Sequence, residues 1–316
     1  MSSRSSRFKR LQPLIAVAAF GVAAFLVYRA LRQHSMDEIL DALRSISSDH
    51  LMLGAALTAL SFLCLTGYDT LAVRYTKRDL PYRKIALASF TALSIGHTLG
   101  LAALSSGAVR YRFYTSWGLS PGDVGRMVLF CGVTVALGLS TVAGVSALVR
   151  PDLIAELIGV SRAVVTGVGI LPLLAVAGYV GLAVFVRRPV RIRRFELPVP
   201  PAGLAIGQIV VGSADVLSVS AVLHQMLSAS TDIGFFPVAA VYSLANGAAI
   251  MSHVPGGLGV IEAIVLSLYP GANVIGALIA FRAVYYLVPF AMGLLVLGAV
   301  ELRRRRRASV GQQRSE

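Results

Sequence analysis

The sequence predicts an all-α polytopic membrane protein, and three observations support that fold class. Hydrophobic residues make up 56% of the chain and charged residues only 14%, against roughly a quarter charged in an ordinary soluble domain. Six apolar segments run for about 20 residues, enough to cross a hydrocarbon core of about 30 Å as a helix. The positive charges lie in short blocks beside these segments, as in loops that stay in the cytoplasm.

The segments that we expect to cross the membrane are 13–28, 51–73, 127–149, 163–186, 202–228 and 283–300. Arg7-Phe-Lys-Arg10 precedes the first of them, as in a signal peptide, but the long apolar run favours a retained helix. Residues 36–48 carry apolar side chains at helical spacing. They predict an amphipathic helix that either lies along the outer interface or packs on the bundle as a connecting helix.

Four basic blocks constrain the topology: Arg4–Arg10, Arg74–Lys84, Arg187–Arg194 and Arg303–Arg307. Two further apolar stretches occur, at 85–104 and 235–252. If these also crossed the membrane, the third block, Arg187–Arg194, would lie outside, against the positive-inside rule. Re-entrant helical hairpins over 85–120 and 235–269 remove the conflict and leave both termini in the cytoplasm. We expect the hairpins to break at Ser105-Ser-Gly107 and at Pro255-Gly-Gly-Leu-Gly259.

The two hairpins occur at the same interval as other features of the chain. Gly107 and Gly257 are 150 residues apart, as are Arg112 and Glu262. We therefore divide the chain into two membrane repeats, 1–150 and 151–302, and a basic cytoplasmic tail, 303–316. Each repeat has three full crossings and one hairpin, which predicts an inverted repeat like those of secondary transporters, with a substrate site near the bilayer midplane.

Ionisable side chains at membrane depth are candidates for function, because burying them in lipid is unfavourable. Arginine suits phosphate because its planar group donates two parallel hydrogen bonds, and glycine-rich tips expose backbone N–H groups to an anion. We expect a headgroup-binding site formed by Asp69, Arg110, Arg112, Asp215, Gly256, Gly257, Glu262 and Arg282.

The same charges also have a purely structural interpretation. Arg112 with Glu262, or Arg282 with Asp215, would then be buried ion pairs that hold the helices together. Asp69 either faces the cavity or pairs with a basic residue of the loop that follows it. Both interpretations can hold together.

The sequence contains no recognisable catalytic constellation. The five histidines and the two cysteines, Cys64 and Cys131, show no spacing typical of metal ligands, and no P-loop, G-x-S-x-G or H-E-x-x-H motif is present. We predict a protein that is not an enzyme and that uses no cofactor or metal. The net charge of +14 lies in the loops of the spans and not in a basic soluble domain, so we predict no nucleic-acid partner.

Two stretches carry a family resemblance. Ser106-Gly-Ala-Val-Arg-Tyr-Arg-Phe-Tyr114, followed by Gly118-Leu-Ser120, and Ser252-His-Val-Pro-Gly-Gly-Leu-Gly-Val-Ile-Glu262 resemble the two signatures of the lysylphosphatidylglycerol synthase transmembrane family. The resemblance covers roughly residues 10–300. It implies a unit that moves aminoacylated phosphatidylglycerol between leaflets, here without the soluble synthase domain of the bifunctional members.

These observations lead to one main functional expectation and two alternatives. We expect a phospholipid translocator of the bacterial inner membrane that binds anionic or aminoacylated headgroups. The first alternative is a non-transporting scaffold that recruits a separate lipid synthase or glycosyltransferase, and the second is an intramembrane lipid-modifying enzyme. A separate synthase and a second copy of the chain are the protein partners that we consider.

Overall fold

The computed structural model describes residues 36–99, 102–186, 190–192, 195–197, 199–229, 232–252, 257–269 and 272–313. The predicted first span, 13–28, the first basic block and Gly256 lie outside these ranges.

The described chain is helical apart from one short ribbon. The helices are α1 (Met36–Ser45), α2 (Ser48–Tyr75), α3 (Tyr82–Leu99), α4 (Ala102–Ser116), α5 (Pro121–Val149), α6 (Pro151–Ile158), α7 (Arg162–Phe185), α8 (Ala202–Ser228), α9 (Phe235–Ser252), α10 (Val260–Leu268), α11 (Ala272–Arg282) and α12 (Val288–Gln313). A π-helical turn, Ala283–Leu287, joins α11 to α12. Between α7 and α8, strands β1 (Val190–Ile192) and β2 (Phe195–Leu197) pair antiparallel, with Arg191 opposite Glu196.

Six helices of the described chain are long and apolar enough to cross a bilayer: α2, α5, α7, α8, α9 and the continuous helix from Val274 to Arg303. Helices α2, α5, α7 and α8 coincide with four of the predicted spans, and the last helix contains the predicted span 283–300. Helix α9 also qualifies, although the sequence predicts it as one limb of a hairpin. Whether α9 crosses the membrane or turns back within it stays a prediction.

Helix α8 lies at the centre of the bundle, where it contacts α2, α5, α7, α9 and α11. It crosses α5 at Gly138 and Gly212, where a Cβ on Gly138 would lie 2.4 Å from the carbonyl oxygen of Gly212. Such close approach between helices in a membrane requires small residues, because backbone packing there replaces the hydrophobic effect. Helix α8 also packs along α2, where polar residues of the two helices meet.

Helix α7 lies at the periphery of the described bundle. Of its side chains only Val165 and Gly169 are buried, and its exposed side chains are mainly apolar, Leu171 and Phe185 among them. That composition is typical of a helix that faces lipid, because hydrocarbon tails are as apolar as leucine.

Helix α1 packs on the bundle. Ile39 and Ala42 on its apolar face form a small cluster with Ile279 of α11 and Ala283 of the π turn. Of the two placements that the sequence leaves open for this segment, the structure therefore has a helix packed on the bundle.

The first predicted hairpin forms a pair of packed helices, α3 and α4, and its break differs from the predicted one. The chain leaves α3 at Leu99 and enters α4 at Ala102, so Ser105, Ser106 and Gly107 are helical. The expected break at those residues is wrong because they serve to pack the helices: a Cβ on Gly96 would lie only 2.7 Å from the Cβ of Ser106. Small side chains here indicate close contact between α3 and α4.

The second predicted break is present at the expected residues. Helix α9 ends at Ser252 and α10 begins at Val260, with Gly257 and Gly259 between them at φ of +60° and +82°. Side chains with a Cβ rarely adopt such positive φ angles, so glycine is required at this turn. Glu262 then caps α10 by accepting a hydrogen bond from the backbone N–H of Gly259 at 2.9 Å.

The order of helices in the first half recurs in the second. A long helix, two helices separated by a break, and a second long helix follow one another in α2 to α5 and again in α8 to α12. The opposite orientation of these two sets in a membrane stays a prediction.

Candidate functional site

Arg110 and Asp69 form a closed ion pair between α4 and α2. The Nε and Nη2 groups of Arg110 donate to the two carboxylate oxygens of Asp69, each at 2.8 Å, and the side chains are 2% and 0% exposed. Ser106 accepts a third bond from Arg110 Nη1 at 3.0 Å, and the Tyr114 hydroxyl donates to Asp69 at 3.2 Å. Ser106, Arg110 and Tyr114 recur every four residues on one face of α4, which directs all three towards α2.

Arg282 and Glu262 form a second ion pair, which we call the tip pair, at the break before α10. Arg282 Nη2 donates to Glu262 Oε2 at 2.8 Å and to the carbonyl oxygen of Gly257 at 3.2 Å, and its Nε donates to Glu262 Oε1. The Arg282 guanidinium also lies over the ring of Tyr286, 5.5 Å from its centroid. The side chains of Arg282 and Glu262 are 11% and 21% exposed. The tip pair is thus partly exposed, whereas the Asp69–Arg110 pair is fully buried.

Asp215 is a buried carboxylate that pairs with hydroxyl groups and not with a cation. Its two oxygens accept hydrogen bonds from Ser61 at 2.5 Å and from Tyr68 at 3.0 Å, and it is 7% exposed. No cationic side chain of the described chain forms an ion pair with it. The expected pair of Asp215 with Arg282 is therefore not formed, because the α10 cap places Glu262 against that arginine.

Residues around Asp215 extend from this carboxylate to the tip pair. Ser61 lies 3.1 Å from the hydroxyl of Tyr285, and the ring centroid of Tyr285 is 5.1 Å from that of Tyr286, which lies beneath Arg282. On the other side, Tyr68 precedes Asp69 on α2. We call Tyr68, Asp215, Ser61, Tyr285 and Tyr286 the buried polar chain. Hydrogen bonds join its first four members, and the ring contact of Tyr285 with Tyr286 extends it to the tip pair.

Arg112 pairs with Glu301 of α12, and not with Glu262 as expected. The two side chains are 37% and 31% exposed. Helix α4 turns Arg112 away from Arg110, since residues two apart lie on different faces of a helix. This contact links α4 to the segment directly before the basic block Arg303–Arg307.

The structure thus separates residues that the sequence grouped. Asp69 and Arg110 form one cluster. Gly257, Glu262 and Arg282 form a second, which the buried polar chain links to Asp215. Arg112 lies apart, and Gly256 is outside the described residues. Sequence reasoning missed Ser61, Tyr68, Tyr114, Tyr285, Tyr286 and Glu301. Ser61 and Tyr68 are seven residues apart and hence on one helical face, a spacing that identifies a polar face within an apolar span.

The chemistry that this arrangement offers is anion binding. Arginine and carboxylate in the tip pair make two parallel hydrogen bonds, the geometry in which guanidinium also binds phosphate. Among the described residues, no group of three or more histidine, cysteine, aspartate or glutamate side chains is arranged to hold a metal ion.

Comparison with known proteins gives relatives that are similar over nearly the whole chain. No family model matches the chain. It is 32% identical over 311 residues to the uncharacterized protein slr0712 of Synechocystis sp. (strain PCC 6803), which covers 95% of this chain and 97% of the relative. It is 25% identical over 305 residues to the inner membrane protein YbhN of Escherichia coli (strain K12), covering 93% and 94% of the two chains.

Proposed function

Because the chain belongs to the family of the Synechocystis protein slr0712, and its Escherichia coli homologue is an inner membrane protein, we propose that it moves phospholipids between the leaflets of the inner membrane. The headgroups that it takes are anionic or aminoacylated. The observation that carries this proposal is the tip pair. Its guanidinium lies at a helix break, where a carboxylate and one backbone carbonyl hold it.

In the tip pair, Arg282 can exchange the Glu262 carboxylate for another anion. A phosphodiester offers two oxygens in nearly the same geometry as a carboxylate, so it can replace Glu262 on Arg282 without leaving the guanidinium unpaired. That matters at membrane depth, since an isolated buried charge is strongly unfavourable. Arg282 is thus the residue that binds the lipid phosphate.

Glu262 keeps a role after the exchange. Its Oε2 still accepts the N–H of Gly259, so the carboxylate stays at the tip and is available to an ammonium group. An aminoacylated headgroup carries both a phosphate and an ammonium, and so fits Arg282 and Glu262 together. The resemblance of the 252–262 stretch to the lysylphosphatidylglycerol synthase transmembrane family supports the same headgroup class.

The other predicted site residues take different roles in this proposal. Asp69 and Arg110 fix α4 against α2 because both charges are buried and saturated with hydrogen bonds. Arg112 is half-exposed and receives the headgroup before it reaches the tip. Gly257 allows the backbone to come close to the phosphate, whereas Gly256 lies outside the described residues and its role stays a prediction.

We also propose the topology in which this transport takes place. Both termini lie in the cytoplasm, the α3–α4 and α9–α10 hairpins re-enter the membrane, and two inverted halves rock about the central helices α2 and α8. The repeated helix order and the positions of the basic blocks support this arrangement.

The test is leaflet exchange by the purified full chain in liposomes, with phosphatidylglycerol labelled on an acyl chain and its outer-leaflet fraction measured by chemical quenching. We expect exchange faster than in protein-free liposomes, a loss of at least tenfold in Arg282→Ala, and a smaller loss in Arg282→Lys, which keeps the charge but not the two parallel bonds. Arg162→Ala is the matched control, since Arg162 forms an exposed pair with Asp152. Exchange equal to that of empty liposomes for the unaltered chain refutes the proposal.

One observation favours the scaffold alternative. Helix α12 continues beyond the apolar segment that ends at Arg303 and runs to Gln313, so the basic block lies on a helix that extends past the span. Such a helix can dock on an acidic surface of a lipid synthase or glycosyltransferase, or on anionic lipid. The liposome assay separates the two functions, because a scaffold produces no leaflet exchange.

A further inference from the structure

Asp215 differs from the other buried carboxylates of the described core. The buried Asp69 and Asp123 each pair with arginine, as does the partly exposed Glu262, so protonating any of them would weaken an ion pair. Among the described residues, the hydrogen-bond partners of Asp215 are the hydroxyl groups of Ser61 and Tyr68. It can therefore gain or lose a proton without breaking an ion pair.

From this geometry we propose that Asp215 binds and releases the proton that drives lipid translocation. The inference rests on the proposed function, because it assigns an energy source to the transport carried out at the tip pair. Intramembrane carboxylates without a fixed counter-ion are typical of proton relays, since both of their charge states must be attainable in the bilayer.

The groups around Asp215 support a site for a proton. The titratable side chains that face it are Cys64 and Tyr68 on α2, Tyr242 on α9 and Tyr285 in the π turn. A thiol and three phenols are neutral near neutral pH. Among these neighbours Asp215 is thus the group whose charge changes, and the hydroxyl donors stabilise its ionised form.

The hydrogen bonds around Asp215 show how a change in its protonation acts on the π turn. The ionised carboxylate accepts from both Ser61 and Tyr68, whereas a carboxylic acid has one O–H that must donate. Protonation therefore reverses or breaks one of these two bonds. Ser61 also contacts Tyr285, so the change passes to the π turn.

The π turn begins directly after Arg282, and single π turns within α-helices occur frequently at functional sites. A shift of Tyr285 and Tyr286 alters the support beneath Arg282, and with it the exchange of Glu262 for phosphate. The proton is taken from water on one side of the membrane and released to water on the other. No further reactant is needed.

The test measures leaflet distribution under an imposed pH gradient, using the full chain in liposomes with acyl-labelled phosphatidylglycerol. One proton per lipid predicts a steady-state leaflet ratio that shifts on the order of tenfold per pH unit, because one unit equals about 1.36 kcal/mol. We expect Asp215→Asn to abolish the shift, and Asp215→Glu to retain it. Asp152→Asn, which alters an exposed acid, should leave the shift unchanged.

The outcomes separate this inference from the proposed function. Exchange without a gradient-dependent shift overturns the proton coupling and leaves the translocator standing, and a shift that persists in Asp215→Asn overturns the assignment to Asp215. If the unaltered chain exchanges no lipid, the proposed function fails. Infrared difference spectra between acid and neutral pH then decide the proton site: loss of a carboxylic-acid C=O band in Asp215→Asn but not in Asp152→Asn supports it, and unchanged spectra overturn it.

Discussion

Replacing Asp69 with asparagine removes one charge from the closed pair with Arg110 and leaves its shape almost unchanged. Arg110 is 2% exposed, so no water can replace the lost carboxylate. Removing one partner of a buried ion pair is unfavourable by about 3–5 kcal/mol, because the remaining charge stays uncompensated. The amide also accepts the Tyr114 hydroxyl less strongly than the carboxylate, which adds about 1 kcal/mol. We expect Asp69→Asn to lower the free energy of unfolding by about 4–6 kcal/mol.

A double variant tests whether this loss comes from the unpaired charge. Asp69→Leu combined with Arg110→Met replaces both charges with apolar side chains: leucine branches at Cγ as aspartate does, and methionine is close to arginine in volume. Such replacements of buried ion pairs are often neutral or stabilising by about 1–4 kcal/mol. The double variant should therefore be more stable than Asp69→Asn, although it carries the larger chemical change.

The measurement is the free energy of unfolding of the purified chain in mixed micelles, from titration with a denaturing detergent. Asp152→Asn is the control, because it disrupts the exposed pair with Arg162 and should change stability by no more than about 1 kcal/mol. A loss below about 1 kcal/mol for Asp69→Asn, equal to that of the control, would refute the reasoning that this pair is a buried, closed contact.

Two further predictions concern packing and topology. Gly138→Ala should destabilise the protein by about 1–3 kcal/mol, because the added Cβ would lie 2.4 Å from the backbone of Gly212. Gly132→Ala on the same helix is the control and should be neutral, since a Cβ there meets nothing within 4 Å. The same detergent titration measures both variants, and equal stabilities would contradict the close crossing. A single cysteine placed in the 187–201 loop of a chain whose native cysteines are replaced by alanine should react with an impermeant reagent only from the cytoplasmic side, and labelling from the periplasm would exclude the two-hairpin topology.

The long apolar helices and the second break are predictable because they depend on local sequence. Helix α8, for instance, has the bounds of the predicted span 202–228, since a run of apolar residues of that length is stable only as a helix in lipid. Gly257 and Gly259 mark the break before α10 by the positive φ angles that they adopt.

The first break is misplaced because the conformation of that stretch depends on a neighbouring helix and not on local sequence. A serine-serine-glycine stretch favours either a turn or a close helix contact, and only the neighbouring helix decides between them. Because Gly96 of α3 lies opposite Ser106, the stretch stays helical and packs. Instead, one helix ends at Leu99 and the next begins at Ala102, a few residues before the predicted break.

The sequence alone determined that charged residues occur inside apolar spans and that an arginine and a glutamate lie near glycine-rich breaks. Those are properties of composition and spacing along one helix. The tertiary structure decided which charges meet: Asp69 with Arg110, Glu262 with Arg282, and Asp215 with two hydroxyls. Partner choice depends on helix rotation and crossing, which arise from contacts such as Gly138 with Gly212. Residues that are far apart in the chain make those contacts, so local patterns do not reveal them.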